Sequence, residues 1–459
     1  MNTNDLNGNT INQLSLRLDR LPVSRFHISV LIVAALSLLF DTLDTVVTGF
    51  VLAELRPLWK FGTETIGIVS SIGLSGYLIG SFCSGFVADR FGRKKTILFT
   101  LILYSLFSAS RGLTDNMTSF AVLNFFTWLF VGAESSTVPP YLAELWPSRV
   151  RGKLNGWMMS FFAMGIAFSP IWALLLIPNF GWRFALFLTL PFAILGGLMR
   201  SGLPESPRWL IKKGRLKEAE ETVTWIEKKI EKRTGKALPP IPAQQTTAAA
   251  PAGPAITARD LLSPRYRKIT WMLWAAWFAE YGVLYSFMTF VPTLLALEGH
   301  SIVRSFQYSV VIYITVIPAY ILGGYVVEWL DRKYTAMLAL TATAICGTLF
   351  GMSTEPPQIM LFGSMTSFFL ALGSTAIYTY TPELYPTEIR ATGMGIASAW
   401  GRAGAILLLL TFGVFAVVEG KLVLFLISDV ILFVAIVALA IFGPSTKGRR
   451  LEDTSTGTA

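Results

Sequence analysis

The chain has 459 residues, of which 53% are hydrophobic and 14% are charged, and its net charge is +10. This composition excludes a disordered polyelectrolyte and a typical nucleic-acid-binding chain, since both combine dense charge with little apolar surface. Apolar runs of about 20 residues, each long enough to cross the hydrocarbon core of a bilayer, recur along the chain. The sequence therefore predicts an all-α polytopic membrane protein.

Twelve membrane-spanning helices are predicted, in two bundles of six. In chain order they cover 28–52, 65–88, 96–112, 118–142, 155–178, 181–203, 268–294, 305–330, 336–353, 357–381, 393–417 and 420–442. The predicted division is an N-terminal tail (1–27), a first bundle (28–203), a linker (204–267), a second bundle (268–442) and a C-terminal tail (443–459).

The linker changes character along its length. Residues 215–233 are charged but carry Leu216, Ala219, Val223, Ile226 and Ile230 at three- and four-residue spacing, which predicts an amphipathic helix lying against the bundle. The stretch 238–255 is rich in Pro, Ala, Thr and Gln, a composition that predicts a flexible tether.

Basic residues concentrate on one side of the predicted spans. They occur in the N-terminal tail, between the second and third and the fourth and fifth spans, in the linker, at the matching positions of the second half and in the C-terminal tail. The positive-inside rule then places both termini in the cytoplasm. Because topology accounts for the excess of positive charge, we expect no nucleic-acid partner.

The two halves contain similar motifs at one constant spacing. The segment Gly85–Lys94 resembles Gly324–Lys333, and Tyr-x-x-Glu-x-x-Pro occurs at Tyr141 and again at Tyr380. Both spacings are 239 residues (324 − 85 and 380 − 141). Such a repeat in a helical membrane protein is typical of transporters that move one half against the other around a central site.

These motifs resemble those of a known family. The segment GFVADRFGRKK is similar to the signature between helices two and three of the major facilitator superfamily, and the Tyr-x-x-Glu-x-x-Pro motifs and PESPRWL (204–210) resemble its sugar-porter and organic-ion branches. The segment FDTLD (40–44), Glu134 and AWGRAG (399–404) are similar to bacterial niacin transporters and aromatic-acid/proton symporters. One departure is Asn124, which stands where that branch usually has arginine.

The resemblance implies the major facilitator fold, with two pseudo-symmetric six-helix bundles and alternating access. It also implies a gating role for the repeated motif residues on the cytoplasmic side, where glycines allow close helix approach and carboxylates meet cations. The candidate gating residues are Gly85, Asp89, Arg90, Arg93, Glu144, Arg151, Gly324, Glu328, Arg332, Glu383 and Arg390. The alternative is that they serve only as topology anchors.

Ionisable residues inside predicted spans are costly unless they are paired or hydrated, and they commonly mark functional sites. Asp41, Asp44, Glu134 and Glu280 are candidates for proton coupling or ion pairing. Glu280 is the repeat equivalent of Asp41, because 280 − 41 is again 239. Asp429 lies in the last span, where we expect a structural role.

Arg402 is the one basic residue that the sequence places well inside a span. Its planar guanidinium can hold a carboxylate through two parallel hydrogen bonds, so it is the candidate anion-binding residue. The alternative is a permanent ion pair with Asp41, Asp44 or Glu134.

Aromatic residues recur at helical spacing on the seventh span, with more on the tenth. Trp277, Tyr281, Tyr285 and Tyr378 are candidate substrate-binding residues, although such stripes often only pack helices. No phosphate-binding loop or hydrolase motif occurs in the sequence.

The sequence therefore predicts a secondary transporter, not an enzyme, that moves a small organic carboxylate such as nicotinate or another aromatic acid with protons. It requires no cofactor or metal, lies in the bilayer of the cell membrane and functions as a monomer. The alternatives are a sugar, polyol or organic-cation carrier of the same fold, a carrier that needs no protons, and a sensor that binds a metabolite without moving it.

Overall fold

The computed structural model describes residues 13–447 except 15, 148–149, 236, 242–257 and 419. The first half contains α1 (Arg25–Trp59), α2 (Thr63–Phe91), α3 (Arg93–Arg111), α4 (Met117–Leu145), α5 (Arg151–Phe180) and α6, which comprises Trp182–Phe187 and Thr189–Ser201. The linker contains α7 (Pro207–Lys212) and α8 (Leu216–Thr234). The second half contains α9 (Arg267–Leu297), α10 (Ile302–Leu330, interrupted at Thr315), α11 (Arg332–Met352), α12 (Pro356–Glu383), α13 (Thr387–Val418) and α14 (Gly420–Phe442).

The predicted membrane fold is confirmed. Ten helices in the described residues are long and apolar enough to cross a bilayer. The two shorter spans, α3 and α6, complete the first bundle, so each half has six spans. The amphipathic helix predicted at 215–233 is α8, whereas most of the predicted tether lies outside the described residues. The domain boundaries stay predictions.

Glycines bring helices of the first half into close contact. A side chain added at Gly80 would place its Cβ 1.8 Å from the backbone oxygen of Leu129, and one at Gly132 would lie 2.1 Å from that of Tyr77. Helices α2 and α4 therefore touch along their backbones, as small residues permit in membrane proteins.

The sequence repeat is also a repeat of contacts. In the first half Arg93 Nη2 lies 3.7 Å from Glu144, and in the second Arg332 Nε donates to Glu383 at 3.0 Å. Each motif arginine thus faces the motif glutamate of its own half, at the same 239-residue offset. The preceding residue has positive φ in both halves, Gly92 at 104° and Asp331 at 87°.

The repeat extends past the last helix of each half. The hydroxyl of Tyr141 donates to the carbonyl of Pro204 at 2.5 Å, and the hydroxyl of Tyr380 donates to the carbonyl of Pro444 at 2.6 Å. Asp331 accepts hydrogen bonds from Ser445 and Thr446 in the same tail. Residues 443–447 therefore bind back to the second half in the same way as the start of the linker binds back to the first half.

The N-terminal segment from residue 13, the described parts of the linker and residues 443–447 lie on one side of the spans, which we call the linker face; the other side is the opposite face. The halves meet near the opposite face. Thr63 Oγ1 donates to the carbonyl of Gly413 at 2.8 Å, and Ser71 Oγ to that of Ile406 at 3.1 Å. At Gly67 an added Cβ would lie 2.4 Å from the backbone oxygen of Leu409. This contact closes the opposite face between α2 and α13.

The expectation that Gly85 and Gly324 permit close helix approach is wrong for this conformation. A Cβ added at either glycine would meet nothing within 4 Å. Phe86 and Tyr325, which follow these glycines, are 69% and 73% exposed. One reason is that α2 meets the second half at Thr63 and Ser71, away from the end of α2 that carries Gly85.

The segment before α1 packs on the linker helix. Leu14, Leu18 and Leu21 join Val223 and Ile226 of α8 in one buried cluster. Arg17 Nη2 and Arg20 Nη2 each lie 2.6 Å from a carboxylate oxygen of Glu227. The N-terminal segment is therefore held to α8 by both apolar contact and charge.

Candidate functional site

Arg402 lies near the middle of α13, at the junction of the two halves. Its Nη1 donates to the carbonyl and the hydroxyl of Ser398, and its Nη2 donates to the hydroxyl of Tyr77 in α2 at 3.3 Å. Its Nε is buried without a hydrogen-bond partner. No carboxylate pairs with Arg402 in the described part of the chain, so the alternative of a permanent ion pair with Asp41, Asp44 or Glu134 is wrong.

Aromatic rings surround this guanidinium. Its central carbon lies 5.0 Å from the ring centre of Tyr77 and 5.4 Å from that of Tyr281, so both rings contribute cation–π stabilisation. Tyr285 and Tyr378 lie close enough to interact electrostatically with the Arg402 guanidinium. Tyr378 is the most exposed of these four rings, at 38%.

Trp277 lies behind this shell. It is 1% exposed, stacks on Tyr281 at a centroid distance of 4.7 Å and donates its indole N–H to Thr381 at 2.9 Å. Of the predicted substrate-binding residues, Arg402, Tyr281, Tyr285 and Tyr378 come together at the junction, while Trp277 supports Tyr281 and has almost no free surface of its own in this conformation.

Glu280 is fully buried in the second half. Its Oε1 accepts from Ser374 Oγ at 2.7 Å, and its Oε2 has no partner among the described residues. A Cβ added at Gly373 would lie 2.9 Å from that free oxygen. Gly373 is the repeat equivalent of Glu134 (373 − 134 = 239), so the second half leaves room for Glu280 where the first half has a side chain.

Two buried ion pairs occupy the first half. Arg111 Nη2 donates to both carboxylate oxygens of Asp44 at 2.8 and 2.7 Å, and neither side chain is more than 1% exposed. Arg200 Nη1 donates to Glu134 Oε1 at 2.5 Å. Arg402 is therefore not the only buried cation, because Arg111 and Arg200, at the ends of α3 and α6, are buried too.

Arg111 also reaches the position where the family resemblance expects an arginine. Its Nη1 donates to Asn124 at 3.0 Å and to Thr48 at 2.8 Å. A guanidinium from α3 thus lies against Asn124 of α4. Trp128, one turn further along α4, has its ring centre 6.4 Å from that of Tyr285 in the other half.

Asp41 stands apart from these pairs. It is 3% exposed, and its Oδ1 has no hydrogen-bond partner among the described residues. Glu134, Arg200 and Asp44 lie within electrostatic range. Asp429, by contrast, accepts a hydrogen bond from Thr348 within the second half.

Several of the predicted gating residues form ion pairs and hydrogen bonds within their own half. In the first half Arg93 bonds Asp89, Lys212 Nζ lies 2.9 Å from Asp89, and Ser206 bonds Glu144. Glu205 accepts from the backbone N–H groups of Arg93 and Lys94 and so caps the start of α3. The PESPRWL segment therefore anchors the linker to the first bundle.

The remaining gating candidates are more peripheral. Arg90 and Glu328 are exposed, and Arg390 Nε donates to the carbonyl of Tyr385 at 3.2 Å. The side chain of Arg151 lies outside the described residues. The gating role itself stays a prediction.

Sequence reasoning missed Arg111 and Arg200 because each lies at the end of its predicted span, where a basic residue is usually exposed. A signal was present: the five acids placed well inside the predicted spans outnumbered the one arginine placed there, Arg402, so most of these carboxylates lacked a cation. It also missed Tyr77, whose place in α2 carries no motif.

Known proteins resemble the chain over most of its length. A family model described as sugar (and other) transporter matches residues 31–457. A niacin transporter of Acinetobacter baylyi is 33% identical over 439 residues, which cover 95% of this chain and 98% of that protein. A gallate transporter of Pseudomonas putida is 31% identical, with 85% of each chain covered.

The fold has solved counterparts. A xylose transporter of Escherichia coli, in a partially occluded inward-open conformation, superposes with a TM-score of 0.72 at 19% identity and covers 93% of this chain and 100% of that one. The full-length family match and the common twelve-helix fold show that the chain belongs to the sugar (and other) transporter family of the major facilitator superfamily, whose members are membrane transporters and not enzymes.

Proposed function

We propose that this chain is a secondary active transporter of a small aromatic carboxylate, which it moves by alternating access. The observation that carries the proposal is Arg402, a cation at the junction of the halves that has no carboxylate partner in the described residues. A carboxylate beside the guanidinium would give Nε its missing acceptor and neutralise the charge through a two-point contact.

The surrounding rings favour a flat substrate. Tyr77, Tyr281, Tyr285 and Tyr378 offer ring faces for stacking and hydroxyl groups for orientation. The niacin and gallate transporters among the relatives are named for aromatic acids, which supports the same substrate class here. A neutral sugar would leave the charge of Arg402 uncompensated.

Transport is coupled to protons in this proposal. Asp44 and Glu134 are bound to arginines, whereas Asp41 and Glu280 each keep a buried oxygen without a hydrogen-bond partner in the described residues. A buried carboxyl group with an unpaired oxygen is a site where a proton can bind and leave. Asp41 and Glu280 are therefore the proposed proton carriers, at repeat-related positions in the two halves.

The orientation follows from charge. The linker face carries the basic clusters of the loops and of the described parts of the linker and tails, so the positive-inside rule supports a cytoplasmic position for this face. Each chain has both bundles and the whole Arg402 site, which supports function as a monomer.

The test is uptake of labelled nicotinate and gallate by purified protein in proteoliposomes under an imposed pH gradient. Arg402→Gln should lower carboxylate uptake at least roughly 30-fold, as expected when one partner of a buried charge pair is removed. Arg402→Lys should recover only part, because an ammonium lacks the two-point geometry. Arg304→Gln, which removes an exposed arginine at the start of α10, is the matched control.

Other outcomes identify the alternatives. Uptake that Arg402→Gln leaves unchanged would show that Arg402 does not bind the substrate, and a carrier of sugars, polyols or organic cations would behave in this way. Binding without accumulation would indicate a sensor. Accumulation that ignores the pH gradient would indicate a facilitator.

A further inference from the structure

A groove of about 240 Å³ opens on the linker face of the first half, far from Arg402. It lies between the start of α1, the end of α6 and the second half of α8, and we call it the α8 groove. Its lining residues are Phe26, Ser29, Val30, Val33, Gly202, Leu203, Lys229 and Arg233.

Two cations border the α8 groove. Lys229 Nζ lies 4.1 Å from the ring centre of Trp225 and 5.5 Å from that of Phe26, and Arg233 Nη1 donates to Ser29 Oγ at 3.4 Å. Neither cation forms an ion pair in the part of the chain that the structure describes. Burial, with a further contribution from Arg233, lowers the pKa of Lys229.

The two acids nearest to Lys229 along α8 are Glu227 and Glu231. Glu227 binds Arg17 and Arg20 of the N-terminal segment, and Glu231 is exposed. Both lie two residues from Lys229, so neither faces it on the helix. The positive charge at the groove is therefore left for an external anion to neutralise.

The groove has apolar lining residues and lies beside exposed apolar surface of two spans. Leu198 of α6 is 67% exposed and Ile32 of α1 is 42% exposed, so both helices present hydrocarbon surface beside the groove. Val33 and Leu203 also line a smaller inner void of about 20 Å³. The groove thus has a cationic mouth at the level where spans end and an apolar interior, which is the arrangement of charge along a phospholipid.

We propose that the α8 groove binds an anionic phospholipid, with its phosphate between Lys229 and Arg233 and the upper part of an acyl chain along Val30, Val33 and Leu203. A basic residue near an anionic leaflet typically strengthens binding about fivefold, so the pair should favour an anionic over a zwitterionic lipid by roughly 25-fold. This inference is independent of the transported substrate.

The test is competition between phosphatidylglycerol and phosphatidylcholine for the full-length protein in mixed micelles, read by native mass spectrometry and by thermal shift. Phosphatidylglycerol should be retained and should raise the melting temperature, whereas glycerol phosphate or inorganic phosphate at the same concentration should not. The double variant Lys229→Gln/Arg233→Gln should lose this preference. Lys217→Gln/Lys228→Gln, which removes the same charge from exposed positions on the same helix, should keep it.

A second variant tests the proposal even if the double variant does not fold. Leu203→Phe fills the apolar wall and leaves both cations, so it should weaken retention of the lipid while leaving the charges intact. Equal retention of both lipids by the native protein would overturn the proposal, and so would an equal loss in both double variants. An effect of free phosphate as large as that of phosphatidylglycerol would show a simple anion site instead.

Discussion

At the scale of single residues, the first half contains two buried ion pairs, Asp44–Arg111 and Glu134–Arg200. The Asp44–Arg111 pair is supported by Ser108, Thr48 and Asn124, so the polar atoms around it have partners. A buried pair of this kind contributes little against an apolar replacement, but removing one partner leaves an uncompensated charge.

This asymmetry gives a prediction for Arg111. Arg111→Met should lower the free energy of unfolding by about 3–5 kcal/mol, because Asp44 then stays buried without its cation. The double variant Asp44→Leu/Arg111→Met should recover much of that loss. Melting temperatures of the purified variants check both expectations.

An exposed pair provides the control. Arg183 and Asp115 also form an ion pair, but their side chains are 44% and 84% exposed. Arg183→Met should cost no more than about 1 kcal/mol. If the Arg111→Met protein has the same melting temperature as the Arg183→Met protein, the buried pair is not a structural requirement.

At the scale of elements, nearly every helix could be predicted, because long apolar runs and the 3.6-residue period leave few alternatives. The spans expected at 357–381 and 420–442 are α12 (Pro356–Glu383) and α14 (Gly420–Phe442). The site was predicted less completely. Arg402 and its tyrosines carry chemical signals in the sequence, but the partners of Asp44 and Glu134 depend on which helix faces which.

Attachment of the N-terminal segment to α8 was not predictable from its pattern, and it leads to a prediction on pH. Burial raises the pKa of Glu227, but the bonds from Arg17 and Arg20 outweigh it and hold this pKa below its ordinary value. The attachment is therefore complete above the ordinary carboxyl pKa of about 4.3 and is lost as the pH falls through the lowered value.

A spin label at Val23, in a protein with Cys83→Ala and Cys346→Ala, would measure this attachment. Its mobility should stay low at pH 7 and rise only in acid below the ordinary carboxyl range. Glu227→Gln should make the label mobile already at pH 7, whereas Glu231→Gln, an exposed acid on the same helix, should not. A label equally immobile in the Glu227→Gln protein would assign the attachment to the leucines alone.

At the scale of the whole molecule, the halves touch in several places, and one of them is the contact between α2 and α13 near the opposite face. Ser71 and Ile406 are in direct contact there, so transport by alternating access requires this contact to break in every cycle. The state described by the structure is therefore one of at least two.

Linking the two positions should stop transport. In a cysteine-free background, Ser71→Cys with Ile406→Cys and a short, reducible bifunctional thiol reagent should abolish uptake in proteoliposomes, and reduction should restore it. Each single-cysteine protein should be unaffected by the reagent. Full uptake by the linked protein would mean that the opposite face need not open between α2 and α13.

Residues 443–447, which include Pro444, affect where the chain can be cut or joined to another protein. Tyr380 donates a hydrogen bond to Pro444, and Asp331 accepts hydrogen bonds from residues 445 and 446. The duplicated unit is therefore six helices together with the short segment that follows the sixth. A separately expressed C-terminal half that stops at Phe442 would lack these hydrogen bonds. Fusion partners, affinity tags and circular permutations therefore belong after Lys447 and not directly after α14.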